Sequence, residues 1–300
     1  MNTVGIETTG WEEVADGVYA VQSSLFGTGF VRSVLFVGDR GAALVDCGTV
    51  ETGESVLKLL ADIGLVSQAL RYLIVTHAHA DHVGSMTGLR VACNSIVVAH
   101  RTSVPYCEDF RRQFDRLFGA FPKEIPPTPE LEDAIFSLVG EPGPVDLSFD
   151  AGTLVLDLGG RELEVFRTPG HDQGCLSVYD STTETVATGD SVAWKGVLDE
   201  PPFYVDKSAY LTSLRKLRSV DAERLIPAHF AIQKRSEIER FLEESIEQVS
   251  IINSLVLGCI RAWEESASLD RIGRYVCARL GKRYFVPALF TVQAHLEGLQ

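Results

Sequence analysis

Five of the chain's seven histidines stand in three short segments, 76–84 (THAHADHVG), 168–171 (TPGH) and 227–229 (PAH), and each segment follows a β-rich run. No other feature restricts the fold as much. Side chains at the ends of several strands can meet only if those strands share an edge of the structure. Turns at such an edge accept functional residues without breaking a hydrogen-bonded ladder. The run before the first segment, 72–76 (YLIVT), is short and almost wholly apolar, the pattern of a central strand covered on both faces.

The rest of the chain supplies layers around that strand. Val-, Phe- and Tyr-rich runs at 17–22, 30–37 and 42–46 read as strands joined by tight turns. Val56, Leu59, Leu60 and Ile63 recur at helical spacing, so a helix is expected over 52–63, and a second αβ step ends in a strand at 95–99. Between 101 and 141 the character changes. Phe110, Phe114, Leu117, Phe118 and Phe121 form an aromatic helical stripe, followed by a break at Pro126, Pro127 and Pro129 and another short helix. The stripe reads first as core packing and second as a lid over a pocket.

Strands resume at 145–149, 153–157, 162–168, 175–179 and 185–188, with a helix at 207–218 and a short strand at 224–226. Beyond them the pattern is helical. Ile238, Phe241, Leu242, Val249, Ile252 and Val256 mark a long helix with Ser236 as its N-cap, and the last helix opens at Pro287. The expected fold is a layered α/β body over 1–235, with a helical insert at about 101–141 and a C-terminal helical extension over 236–300.

Composition excludes several function classes. Three hundred residues at 45% hydrophobic can bury a large core. A formal charge of −14 with no basic block argues against a nucleic-acid surface. No apolar stretch approaches the roughly 20 residues a membrane span needs. The first residues carry neither a basic nor an apolar leader region, so the expected location is the cytoplasm. The six cysteines are scattered with no C-x-x-C pair, which fits packing rather than a zinc ribbon or redox dithiol.

His77, His79, Asp81 and His82 place four metal-ligand side chains within six residues. Imidazole and carboxylate suit zinc, iron and manganese alike, with zinc expected first. One divalent ion cannot use all four, whereas two neighbouring ions can. Paired ions usually need a bridging carboxylate, and Asp190, after the strand at 185–188, is the best candidate. His171 and His229 complete the set, while His100 and His295 have no such context.

H-x-H-x-D-H followed by a Gly-His, a Gly-Asp and a final His resembles the metallo-β-lactamase-fold hydrolase superfamily over about residues 10–235. The resemblance implies an αββα sandwich with the site at one edge of two sheets. It implies that His77, His79 and His171 hold one ion, that Asp81, His82 and His229 hold a second, and that Asp190 bridges them. Asp46, closing AALVD, resembles the family's first motif, with the implied role of orienting a ligand through a hydrogen bond.

Within the superfamily, the bridging aspartate argues against antibiotic hydrolysis, and His79 stands where flavodiiron oxidoreductases carry Glu. The nucleic-acid-processing branch carries a large extra domain that 300 residues do not accommodate. The segment 205–214 (VDKSAYLTSL), the insert and the helical end look like the quinolone-signal-response thioesterase branch. The expectation is a di-metal hydrolase in which a metal-bridging hydroxide attacks a thioester or activated ester, with Asp81 as catalytic general base. Alternatives are a lactonase or glyoxalase II-like hydrolase, a persulfide dioxygenase with one iron, or a low-turnover metal-bound sensor. The expected partner is a small-molecule acyl substrate, with neither nucleic acid nor membrane. The tail, with Leu289, Phe290, Val292 and Leu296, either caps the pocket beside Phe203 and Tyr204 or packs and forms a homodimer interface.

Overall fold

The computed structural model describes residues 9–298. The outermost residues of the two expected regions, 1–8 and 299–300, lie outside the described residues. The first sheet runs β1 (Thr9–Ala15), β2 (Val18–Leu25), β3 (Gly29–Gly38), β4 (Gly41–Val45), β5 (Leu70–Val75), β6 (Ile96–His100) and β7 (Leu147–Phe149) in spatial as in sequence order. Its first four strands are antiparallel and the last four parallel. The second sheet holds β8 (Thr153–Asp157), β9 (Glu162–Arg167), β10 (Leu176–Asp180), β11 (Thr185–Gly189), β12 (Arg224–Pro227) and β13 (Gln233–Lys234).

Alternation along the strands assembles the layers. Phe36, Val45, Ile74 and Val98 point from the first sheet into a shared core with Leu163, Val165, Val178 and Ile226 of the second. The opposite face of the first sheet, through Leu44, Leu73 and Val97, packs on α1 (Thr52–Asp62) and, beyond the short α2 (Ala80–Val83), α3 (Met86–Cys93). After β6 come α4 (Val104–Cys107), α5 (Phe110–Leu117) and α6 (Pro129–Phe136), which form the insert. The second sheet's outer face meets α7 (Lys207–Arg218) and α8 (Arg235–Trp263) through Tyr210, Leu214, Phe241 and Leu242. The result is the expected αββα sandwich. α9 (Leu269–Leu280) and α10 (Val286–Glu297) pack with the distal half of α8 around Ile252, Val256, Ile272 and Val292. No helix among the described residues is long and apolar enough to cross a membrane.

Several local expectations need correction. β1 is a strand absent from the sequence-based expectation. It is an edge strand with one neighbour, and Trp11 packs edge-on against Tyr19 at 5.9 Å. Ser236 is not the cap of α8. The short β13 runs straight into the helix, so Lys234 takes the cap position and its N–H donates to the Glu237 carboxylate at 3.0 Å. The aromatic stripe is not one helix. α5 stops at Leu117, and Phe121 lies in the following turn, 4.8 Å from the Phe290 ring. All six cysteines are free and buried.

His295 is buried and fully bonded. Its Nδ1–H donates to Asn253 Oδ1 at 3.0 Å, and its Nε2 accepts from the Tyr204 hydroxyl at 2.8 Å. Both bonds suit the neutral ring. Burial, aided by Lys207, lowers its pKa to about 3, against about 6.5 for an unfolded histidine. The unfolded chain therefore binds this proton first as pH falls. Stability from this group is complete above about pH 6.5 and is lost progressively towards pH 3, at a slope of about 1.4 kcal/mol per pH unit. His295→Gln is expected to flatten that limb in urea titrations between those pH values. Equal slopes in the two proteins would mean that His295 does not titrate there.

Candidate metal centre

The parallel relations bring the C-terminal ends of β4, β5, β9, β11 and β12 to one edge of the sandwich. Asp46, His77, His171, Asp190 and His229 each follow one of those strands. The two sheets are joined there directly, since Leu176 N–H donates to the Thr76 carbonyl at 3.0 Å. Two glycines permit the close approach. A Cβ on Gly189, at φ +48°, would stand 2.3 Å from Thr76 Oγ1, and one on Gly170 would stand 2.3 Å from the Tyr210 Cα. Both precede a site residue.

Hydrogen bonds to the outer nitrogens aim the imidazoles. Thr76 Oγ1 donates to Asp46 Oδ2 at 2.9 Å, so at 3.1 Å it accepts from His77 Nδ1–H. His82 Nδ1–H donates to Asp46 Oδ2 at 2.8 Å. His171 Nδ1–H donates to the Phe203 carbonyl at 2.9 Å, and His229 Nδ1–H to the Phe30 carbonyl at 2.7 Å. Each of these four rings thereby turns Nε2 inward. His79 uses its other nitrogen: Nδ1 lies 3.1 Å from His171 Nε2. Asp46 also accepts Thr76 N–H at 2.8 Å, so one buried carboxylate fixes the turn and two of its histidines.

The inward atoms form two sets. His77, His79, His171 and Asp190 offer ligand atoms within 4.8 Å of one another, and so do Asp81, His82 and His229. Asp190 faces both. Its Oδ2 lies 3.5 Å from His171 Nε2, while Oδ1 lies 3.5 Å from His82 Nε2 and 3.3 Å from His229 Nε2. Every expected site residue is thus brought together, whereas His100 and His295 lie elsewhere.

A family model described as the metallo-beta-lactamase superfamily matches residues 26–229. The chain belongs to that superfamily. Among curated relatives, it is 20% identical over 229 residues to a beta-lactamase-like protein 2 homolog of Caenorhabditis elegans, covering 76% of this chain and 64% of that protein. It is similar to acyl-coenzyme A thioesterase MBLAC2 from Gallus gallus, at 28% over 112 residues (36% of this chain, 40% of that protein). The human MBLAC2 aligns at 22% over 264 residues, 84% of this chain and 91% of that protein. The chain thus spans less than two thirds of the first two of these relatives. Among solved structures, a metallo-beta-lactamase family protein from Thermus thermophilus superposes with a TM-score of 0.74 at 20% identity, over 96% of this chain and 94% of that one. That likeness extends the shared fold through the C-terminal helices.

A metallo-beta-lactamase fold implies divalent-metal binding, and the residues present fit it. His77 Nε2, His82 Nε2 and Asp190 Oδ1 are buried with no hydrogen-bond partner among the described residues. Leaving such groups unpaired is costly, so their convergence fits a candidate ligand set better than packing. Electrostatics favour the set around His77 directly. Burial lowers the pKa of His77, His79 and His171 and keeps these rings neutral, the form that donates a lone pair. Burial opposes ionisation of Asp81, but His82 and His229 prevail and hold it at about 2. Burial likewise opposes a charge on His229, but Asp190 and Asp81 push it up to about 10. Asp46, Asp190 and Asp81 raise His82 in the same way, so these two rings hold protons that an arriving cation would displace.

The floor of a cavity of about 490 Å³ carries His79, Asp81, Asp190 and His229. From the aromatic stripe only Leu117 and Phe118 line it; Phe110 and Phe114 are core residues. From the expected tail wall only Phe290 does, because Leu289 and Val292 face the interior of the helical layer. Phe203 lines it, stacked on His79 at 5.6 Å, but Tyr204 is fully buried. The sequence reading missed Phe285, Val286 and Pro287 on the tail, Leu25 at the end of β2 and Phe26 on the β2–β3 turn. The one signal at that turn was Phe26 itself, a large apolar residue in a Gly-rich loop. Arg116 was also missed; it reaches from α5 to pair with Asp172, next to His171.

Proposed function

We propose that this chain is a hydrolase with two divalent ions, zinc first, that cleaves thioesters of hydrophobic acyl groups. The observation that carries the reading is the joining of the two ligand sets to a largely apolar cavity. Apolar walls with a few polar groups at one end are the usual form of a small-molecule site. The thioesterase name printed for MBLAC2 supports the bond type.

In this reading His77, His79 and His171 hold one ion, Asp81, His82 and His229 the other, and Asp190 lies between them. Bound there, such ions supply water ionised at neutral pH and a Lewis acid for the carbonyl oxygen. The chain's own groups do the rest. The Asp81 carboxylate, open to the cavity and held ionised by His82 and His229, orients the attacking water as a hydrogen-bond acceptor. Phe203, Phe290, Leu117 and Ile135 hold the acyl chain and exclude bulk water. A thiolate leaves without strong acid assistance.

The test is a panel of acyl-CoA thioesters of graded chain length, lactones and S-lactoylglutathione, assayed with and without chelation. Thioesters with longer acyl chains are expected to turn over fastest, with activity lost on chelation and regained on adding zinc. Faster lactone or S-lactoylglutathione hydrolysis would reject the assignment. Oxygen consumption with a persulfide would replace it by the dioxygenase reading.

A further inference from the structure

The Nδ1–H partners of the inward-facing histidines differ in what holds them. His77 and His82 rely on Thr76 and Asp46, and His229 on the Phe30 carbonyl, all within the first sheet or at its ends. His171 relies on the Phe203 carbonyl, which belongs to an irregular segment between β11 and α7. A carbonyl in such a segment orients an imidazole only if the segment itself is fixed.

α10 fixes it. Thr291 Oγ1 donates to the Pro202 carbonyl at 2.7 Å and accepts from Tyr204 N–H at 3.3 Å. These bonds bracket Phe203 on both sides. One helical turn further on, His295 Nε2 accepts the Tyr204 hydroxyl, and the Phe203 ring packs 5.5 Å from Phe290. On the other flank Val205 N–H and Asp206 N–H both donate to the Gly170 carbonyl, at 2.8 and 3.1 Å, immediately before His171. Thr291 is itself buried, so water does not compete for its hydroxyl. A buried hydroxyl that both donates and accepts across one residue is a specific clamp.

We propose that Thr291 is a positioning residue for the metal centre: through Pro202 and Tyr204 it sets the Phe203 carbonyl, which orients His171. The C-terminal helices are then part of the ligand geometry as well as a wall of the cavity. This inference rests on the reading of His171 as a ligand. Groups that orient a metal-bound histidine typically change metal affinity by about 10–100-fold when removed. Thr291 acts one step behind such a group, so about tenfold is expected.

The test uses the full chain loaded with zinc, as wild type, Thr291→Val, Thr291→Ser and His171→Ala. Zinc affinity is measured by chelator competition, and the buried imidazole Nδ1–H signals of His82, His171 and His229 by proton NMR. Thr291→Val is expected to bind zinc about tenfold more weakly and to lose the His171 signal alone. Thr291→Ser, which keeps the hydroxyl, restores both. Wild-type affinity with all three signals intact in Thr291→Val overturns the proposal, and so does joint loss of all three, which reports general loosening. Unchanged zinc binding in His171→Ala overturns the ligand reading instead. If His171→Ala loses zinc and Thr291→Val does not, only the clamp fails. Should Thr291→Val not fold, hydrogen exchange of the wild type in sub-denaturing urea decides. The His171 Nδ1–H must open together with the α10 amides and before the His82 proton; opening with the His82 proton rejects the clamp.

Discussion

Asp190→Ala is expected to lose most of its bound metal and to lower hydrolysis by several orders of magnitude. Among the described residues, Asp190 is the carboxylate whose two oxygens face both candidate sets, at 3.3–3.5 Å from His171, His82 and His229. In the two-ion reading, removing it takes an anionic ligand from each set at once. It also strips His82 and His229 of a negative neighbour, so these rings lose an electrostatic partner in a buried site. The fold should survive, because the residue lines a cavity and carries no ladder bond beyond its own backbone. Elemental analysis beside a melting curve separates the two effects. Full metal occupancy in a folded Asp190→Ala protein would remove Asp190 from the ligand set and undercut the two-ion reading.

The second large effect is expected at Asp46, which touches no substrate. Its carboxylate accepts from Thr76 N–H, Thr76 Oγ–H and His82 Nδ1–H while only 1% exposed. Asp46→Ala leaves three buried donors without an acceptor. It also places alanine at φ +60°, where Asp and Asn are better tolerated. Breaking a buried charged network by removing one partner costs about 3–5 kcal/mol. Asp46→Asn keeps one oxygen and the backbone preference, so its loss should be clearly smaller, while zinc affinity falls in both because His82 is no longer held. Urea midpoints and chelator competition on the two variants check this. A difference under about 1 kcal/mol between Asp46→Ala and wild type would show that the carboxylate is not the keystone of the turn.

Chemistry-bearing residues were legible in the chain because their chemistry is local. H-x-H-x-D-H compresses four metal-ligand-type side chains into one turn, and a glycine precedes both His171 and Asp190 because a Cβ at either glycine would stand 2.3 Å from a neighbouring atom. The layered α/β body was equally legible, since continuous apolar runs state directly which strands are covered on both faces, as in 72–76, while its arrangement as a sandwich came from the family resemblance. Edge strand β1 was not, because a strand with one neighbour and one covered face carries only a weak pattern.

What tertiary structure alone decided is how distant segments share a wall. Helical spacing marked Phe114, Phe118, Leu289 and Phe290 alike as apolar. Only packing assigns Phe114 and Leu289 to cores and leaves Phe118 and Phe290 facing the cavity. Periodicity shows that a face is buried but not against what. Thr291 makes the same point more sharply: nothing in FTVQ marks it, because its partners Pro202 and Tyr204 are 89 and 87 residues away. A hydroxyl's role depends on which carbonyl the fold brings to it. The candidate ligand set was therefore written in the sequence, while the orientation of those side chains and the shape of the cavity above them arose only when the two sheets and the C-terminal helices came together.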